Sequence, residues 1–329
     1  MFANQSQTNI TVGKELQSLV SLVLFSLLST VPCCVFLFIN GTLLFTLRSK
    51  PVFCETARYV LLYNLLFADT VLLAHSQLMY LIAACRIRLT YPVCGFLSMM
   101  GGLISVISPL TLMMMSVERY VAVCYPLRHA AIITVRNTGV AILLVWTFSS
   151  LNVLTQVFLL LEFPFAELES LQMEDFCGKE SLLLNPVSDL YEKAFTYSVF
   201  ISAGVTVTCS YIGVMVAARS ASTDRASAQK ARNTLLLHLL QLGLTLFSTM
   251  HNSLLLAISM ILDRITLISI QCFLYIFVII LPRCLSTLIY GLRDQAIRPV
   301  LIYHLCCHQK HSTVLSEKAK AKICILITS

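Results

Sequence analysis

The sequence MMSVERYVAVCYPLRHA, residues 114–130, follows 29 residues, 89–117, that contain no Asp, Glu, Lys or Arg. An α-helix rises about 1.5 Å per residue and needs about 20 apolar residues to cross the hydrocarbon core of a membrane. The charge-free run is therefore long enough for a membrane-spanning helix. Glu118 and Arg119 mark the place where that helix leaves the lipid.

Seven charge-poor runs of this kind follow one another along the chain. Apolar residues make up 57% of its 329 residues and charged residues only 12%, which does not suit the water-facing surface of a soluble protein. The runs cover 16–47, 59–85, 89–117, 137–161, 194–218, 233–262 and 265–282. They lack the alternation of membrane β-barrel strands, and a backbone in lipid must satisfy its hydrogen bonds within the segment. The sequence therefore predicts an all-α membrane protein, a bundle of seven transmembrane helices.

The basic residues between the runs predict which side of the membrane each loop faces. One alternate set of loops holds 16 Lys and Arg, whereas the other set holds 6. The base-rich set consists of 48–58, 118–136, 219–232 and the residues after 290. Because cytoplasmic loops are enriched in basic residues, we expect this set inside a plasma membrane and the N-terminus outside.

This orientation divides the chain into three parts. We expect an extracellular tail at 1–18, the membrane bundle at 19–292, and a cytoplasmic amphipathic helix with the C-terminal tail at 293–329. Asn4 and Asn9 begin N-x-S/T triplets, which are glycosylation acceptors on an outer tail, although such triplets also arise by chance.

The thirteen cysteines show no CxxC pair and no histidine at metal-ligand spacing, so no metal, cofactor or redox site is expected. Three of them fall on the outer side, where disulfides form. Cys94 begins the third helix and Cys177 lies in the long loop after the fourth, so a bridge between them would hold that loop over the bundle. Cys85 is a third candidate, and the sequence does not choose between the partners.

The stretch RDQAIRPVLIYHLCC, residues 293–307, has apolar residues at helical spacing with bases between them. This pattern predicts a short amphipathic eighth helix on the inner leaflet of the membrane. Cys306 and Cys307 at its end are candidates for palmitoylation, and the alternative is an unmodified tail.

Charges at the inner end of a helix need no function, because Arg119 can reach the headgroups and Glu118 can pair with it. Their neighbours change this interpretation. MSVERYVAVCYPLRHA resembles the M-x-x-(D/E)-R-Y-x-A-(I/V)-C-x-P-L-R-(Y/H) stretch of odorant receptors, a group of rhodopsin-like G-protein-coupled receptors.

The resemblance extends over nearly the whole chain and is greatest to fish odorant receptors. The matching segments are FINGTLLFTL with Asn40, LLFAD with Asp69, Trp146, SYIGVM with Tyr211, KARNTLLLHLL and LPRCLSTLIYGLRD. It implies that a small-molecule odorant binds in the outer half of the bundle and that the sixth helix then moves outward to activate a heterotrimeric G protein.

The resemblance also implies which residues carry these steps. Arg119 would pair with Glu118 at rest and turn toward Tyr211 on activation. The residues expected at the G-protein end are Glu118, Arg119, Tyr120, Tyr211, Tyr290, Lys230 and Arg232. The positions that match the ligand pocket are Gly102, Ser105, Phe195, Val199, Thr249, Ser253 and Tyr275. The small residues in the third helix alternatively serve tight helix packing, and the mostly apolar set suits a small molecule.

The last segment departs from the family pattern. Ser286 and Thr287 stand at its Asn-Pro positions, so the seventh helix should keep a backbone hydrogen bond there and bend less. Arg283 also interrupts this helix at about the same depth as Asp69, and a charge in lipid needs a partner. We therefore predict a buried Asp69–Arg283 ion pair in place of the sodium ion that the resemblance implies.

Other functions fit the sequence less well. A receptor for a non-odorant metabolite, peptide or lipid is the nearest alternative. A transporter or channel would show internal repeats, broken helices or more deep charges. An intramembrane enzyme would show a motif such as H-E-x-x-H or G-x-S-x-G, so no enzymatic activity is expected. The expected partners are a G protein, a small-molecule ligand and membrane lipids, with no nucleic acid.

Overall fold

The computed structural model describes most of the chain as helices. It covers residues 2–161, 172–173, 177, 186–220, 225–250, 270, 273–281, 283–284, 287, 291, 294 and 296–304. Within these ranges the side chains of 2–19, 21–22, 218–220, 225–228, 231 and 249 are outside the description. Ser253, Ser286, Tyr290, Cys306 and Cys307 lie outside the described residues altogether.

Among the described residues, long α-helices occupy the charge-poor runs and two short ones lie between runs. They are α1 (Phe2–Ser49), α2 (Pro51–Cys54), α3 (Ala57–Ala84), α4 (Tyr91–Cys124), α5 (Pro126–Ile132), α6 (Val135–Leu161), α7 (Pro186–Ser220) and α8 (Arg225–Thr249). A π-helical segment, Tyr275–Ile280, and a short helix at 297–304 follow them. Proline stands in the first turn of α2, α4 and α5, where its fixed φ suits a helix start and its missing N–H is not needed.

Five of these helices are long and apolar enough to cross a membrane, counting only the described residues. They span Val23–Ser49, Ala57–Ala84, Tyr91–Cys124, Val135–Leu161 and Pro186–Ala217. These match the first five predicted runs, while α8 contains the start of the sixth and the π-helical segment lies in the seventh. The predicted all-α membrane bundle is confirmed. Because α1 begins at Phe2, helix continues into the tail predicted at 1–18, whose boundary stays a prediction.

Helix α4, the third membrane span, stands at the centre of the bundle, where it contacts α3, α6, α7 and α8. Hydrogen bonds among Asn64, Thr111 and Trp146, here called the polar junction, connect α3, α4 and α6. The Asn64 amide of α3 donates to Thr111 Oγ1 of α4 at 2.9 Å, and the Trp146 indole of α6 donates to Asn64 Oδ1 at 3.0 Å. Asn64 and Thr111 are both buried, so the two bonds satisfy groups that lipid could not.

The outer loop is held against the start of α4. Cys94 and Cys177 form a disulfide, which answers the choice between partners that the sequence left open, and Cys85 is an exposed free thiol. Beside the disulfide the Met173 N–H donates to the Leu89 carbonyl at 3.1 Å. The described residues of this loop, 172–173 and 177, therefore lie beside the start of the central helix.

The short helix at 297–304 packs on the inner end of the bundle with the predicted amphipathic pattern. Ile297 and Leu301 are buried in the cluster that contains Leu43 of α1, whereas Tyr303 is exposed. Asp294 begins this helix, because its Oδ1 accepts the Ala296 N–H at 2.9 Å. Its other oxygen, Oδ2, forms a 2.9 Å ion pair with Arg58 at the start of α3.

Replacing Asn64 tests the polar junction. Asn64→Ala removes the bond to Thr111 and leaves the Trp146 N–H without an acceptor, so we expect a loss of about 1–3 kcal/mol in unfolding free energy. Thermal unfolding of the purified protein in detergent measures this as a lower midpoint. Thr147→Val is the control, because that hydroxyl is exposed and donates only within its own helix. Equal midpoints for the two variants would contradict the role of the junction.

Candidate functional site

The inner end of α4 holds the acid and base of the opening stretch in direct contact. Arg119 Nε lies 2.9 Å from Glu118 Oε2, and the side chains are 18% and 7% exposed. A third group, which the sequence analysis did not select, approaches from α5: His129 Nε2 lies 3.6 Å from Glu118 Oε1. In the sequence this contact was indicated only by the presence of His129 in the stretch 114–130. The ion pair is thus largely enclosed by the protein at the C-terminal end of α4.

Tyr120 is wedged between α4 and α7. A β-carbon on Gly213 of α7 would collide with the Tyr120 ring, so the two helices approach closely only because this position has no side chain. The ring also packs edge to face against Tyr125, with centroids 6.0 Å apart. The absence of a side chain at Gly213 therefore leaves the space that the Tyr120 ring occupies.

The other residues predicted at this end lie on α7 and α8. Tyr211 packs with Val123 of α4 against the buried pair Val214 and Leu235, which joins α7 to α8. Lys230 and Arg232 precede Leu235 in α8. Lys230 is exposed, and the half-buried Arg232 donates to Asn233 Oδ1 at 3.4 and 3.5 Å. The structure thus brings these predicted residues to the same end as the Glu118–Arg119 pair.

Deeper in the bundle the two predicted partners meet other groups. Asp69 Oδ1 accepts from the Ser108 hydroxyl at 2.7 Å, and its Oδ2 accepts from the Gln241 amide at 3.5 Å. Arg283 Nη2 donates to Ser248 Oγ at 3.4 Å, and its charge interacts with that of Asp69. Both side chains therefore have polar neighbours besides each other, and the direct ion pair between them stays a prediction.

Thr287, which stands at the proline position of the motif, is buried and donates to Asn40 Oδ1 of α1. The departure from the pattern therefore supplies a hydrogen bond between the first and seventh spans that proline could not make.

A small cavity lies between α4, α6 and α7, and four predicted pocket residues line it: Gly102, Ser105, Phe195 and Val199. The remaining lining residues are Val106, Pro109, Asn152, Gln156, Thr196 and Phe200. Its free space of about 20 Å³ is room for one or two waters, so an organic ligand requires side chains to move. None of the described residues forms a group of three metal-ligating side chains.

Two predicted pocket residues cannot be placed and one is placed elsewhere. Ser253 and the side chain of Thr249 lie outside the description. Tyr275 does not line the cavity: its hydroxyl donates to Gln77 Oε1 at 3.2 Å, and its ring stacks on Tyr80 at 4.7 Å. Tyr275 begins the π-helical segment, and the resemblance that placed it in the pocket carries no information on this local turn.

The sequence analysis missed the contribution of α6 to the cavity. Asn152 and Gln156 are four residues apart, so their amides share one face of the helix. The sequence did contain a signal, because two amides stand in a run without charges. A buried amide in a membrane span is costly unless it meets a polar partner.

A family model described as 7 transmembrane receptor (rhodopsin family) matches residues 39–303. The chain belongs to the rhodopsin family of seven-transmembrane receptors. G-protein coupling is the general function of this family, and the receptor is a multi-pass membrane protein.

Relatives of the receptor carry odorant-receptor names. It is 30% identical to Odorant receptor 131-2 of Danio rerio over 99% of this chain and 98% of that one. It is 29% identical to Olfactory receptor 7A17 of Homo sapiens over 56% of this chain and 62% of that one. The match to the fish protein spans both the cavity and the inner end of α4.

Placing a methyl group on Gly213 tests the close approach of α4 and α7. We expect Gly213→Ala to push the Tyr120 ring aside and to lower the unfolding free energy by about 1–3 kcal/mol, as overpacking does. Gly204→Ala on the same helix is the matched control, since its β-carbon would meet nothing within 4 Å. Thermal midpoints in detergent compare the two, and an equally stable Gly213→Ala receptor would show that the ring has room to move.

Proposed function

We propose that the receptor is an odorant receptor that binds a small molecule in the cavity between α4, α6 and α7 and activates a heterotrimeric G protein. The observation that carries the proposal is one helix, α4, with the cavity beside its outer half and the buried Glu118–Arg119 pair at its inner end. Similarity to a fish odorant receptor along nearly the whole chain supports the ligand class.

The proposed orientation places the N-terminus outside the plasma membrane and the Glu118–Arg119 end in the cytoplasm. The disulfide at the opposite end of α4 supports this, because disulfides persist on the oxidising side of a membrane. The excess of bases in the loops near Arg119 supports it independently. Glycosylation at Asn4 and Asn9 and palmitoylation at Cys306 and Cys307 stay predictions that follow from this orientation.

Activation would proceed as a shift between two pre-existing states. At rest Arg119 is paired with Glu118, and the Tyr120 ring packs on Gly213 of α7. These contacts keep the inner ends of α4, α7 and α8 together. In the active state Arg119 leaves Glu118 and turns toward Tyr211, and Tyr290 is expected to join them. Lys230 and Arg232 would then offer positive charge to the G protein. A ligand drives this change only by binding the active state more tightly.

Neutralising the acid tests the resting state. Glu118→Gln replaces a charge-assisted contact with a neutral one that is weaker by about 1–2 kcal/mol, so we expect ligand-independent cyclic AMP to rise about tenfold. Arg119→Ala should abolish G-protein activation, because the base that turns toward the G protein is gone. Both are measured in cells at matched surface expression.

Arg136→Ala provides the matched control, since this base is exposed at the start of α6 on the same side of the bundle. It should leave both basal and ligand-driven cyclic AMP unchanged. Undiminished activation by Arg119→Ala would overturn the assigned role of the pair.

A further inference from the structure

The cavity contains one buried amide that makes no hydrogen bond with the part of the chain that the structure describes. Gln156 is only 7% exposed and lines the cavity from α6. Its Oε1 lies 3.7 Å from the place that a β-carbon would occupy on Gly102 of α4, so the missing side chain of that glycine leaves space beside the amide.

Two other polar groups around Gln156 make hydrogen bonds within the protein. Asn152, one turn away and 4% exposed, accepts from the Tyr191 hydroxyl at Oδ1, 3.1 Å away. The Ser105 hydroxyl donates to the Gly102 carbonyl at 2.9 Å. Gln156 is the lining amide in which both Nε2 and Oε1 make no hydrogen bond with the described part of the chain, so both can meet a molecule in the cavity.

The charges of the lining restrict what that molecule can be. All ten described lining residues are uncharged, and Phe195, Val199 and Phe200 give the wall an apolar part beside its polar groups. A charged ligand would lose its hydration here without gaining a counter-ion. A ligand with a single neutral polar function on an apolar body meets both kinds of surface.

We propose that Gln156 is the polar anchor of the ligand site and that the site takes small uncharged molecules with one oxygen function, such as alcohols, aldehydes and ketones. This inference rests on the proposed function and names its ligand class. The amide can donate from Nε2 to a carbonyl oxygen or accept at Oε1 from a hydroxyl, so one residue serves the whole class.

The same amide rejects hydrocarbons. Without a ligand, water can satisfy Gln156 in a cavity of this size. A hydrocarbon that displaces this water leaves a buried amide without a partner, whereas an oxygenated ligand replaces the lost hydrogen bond. The preference is therefore set by the desolvated amide rather than by the shape of the wall.

The Phe195 ring is partly buried and stacks on Phe148, with centroids 5.4 Å apart, and Phe148 is 45% exposed on the outside of the bundle. A ligand larger than the free space would have to displace lining side chains such as this ring.

The test measures binding without relying on G-protein signalling. The full-length receptor in lipid nanodiscs is heated with sets of probes. Each set has one carbon skeleton, linear, branched or cyclic, and contains its hydrocarbon, alcohol, aldehyde and carboxylate. We expect neutral oxygenated members of at least one set to raise the unfolding midpoint where the hydrocarbon and the carboxylate do not. Gln156→Met, an apolar residue of similar length, should weaken this binding about tenfold to a hundredfold.

Two further variants keep the test decisive. Thr155→Val is the control, because that hydroxyl donates to the Leu151 carbonyl of its own helix and does not line the cavity. It should bind the probes as the wild type does. Gln156→Asn retains the amide and should keep the preference for oxygenated probes. If Gln156→Met does not fold, the probe preference of Gln156→Asn is the test in its place.

The outcomes separate this inference from the proposed function. Binding of oxygenated probes that depends on Gln156, without any cyclic AMP response in cells, would support the anchor and contradict the G-protein step. Equal binding of hydrocarbon and alcohol, no binding of any oxygenated probe, or unchanged affinity in Gln156→Met would overturn the anchor even if the receptor signals.

Discussion

A polar group inside this bundle must find its partner within the protein, because lipid offers none. The junction of Asn64, Thr111 and Trp146 obeys this constraint and holds three helices at one relative rotation. The bond between Thr287 and Asn40 does the same for the first and seventh spans. Gln156 differs from these groups, because its amide lines a cavity and makes no hydrogen bond with the described part of the chain, which places it to meet a ligand.

The central position of α4 connects the two ends of the receptor. Gly102 and Ser105 border the cavity, and Glu118 lies at the other end of the same helix, next to Arg119. Packing on both sides makes this helix a rigid element, so in the proposed mechanism a ligand that moves it at the cavity changes the contacts of the ion pair. The coupling needs no special pathway, only two packings of α4 against α7 and α8.

The seventh span departs from the family pattern at Ser286 and Thr287. The sequence suggested a straighter helix around Ser286 and Thr287, and the described irregularity is the π-helical segment Tyr275–Ile280. Within that segment Tyr275 reaches Gln77 of α3 rather than the cavity. Arg283 interacts with Ser248 and with the charge of Asp69, so a positive group occupies the region where the resemblance implies a sodium ion.

The sequence alone determined the helical membrane bundle, the motif at the end of α4 and the loop charges. These depend on local composition and spacing, which a chain displays along its length. Four residues of the cavity followed instead from the family resemblance. The tertiary structure decided that Cys94 joins Cys177, that the Tyr275 hydroxyl meets Gln77, and that Gln156 lines the cavity. Such contacts depend on how far each helix is rotated about its axis. Helices that are apolar on all sides do not encode this rotation, because lipid and protein interior favour the same side chains.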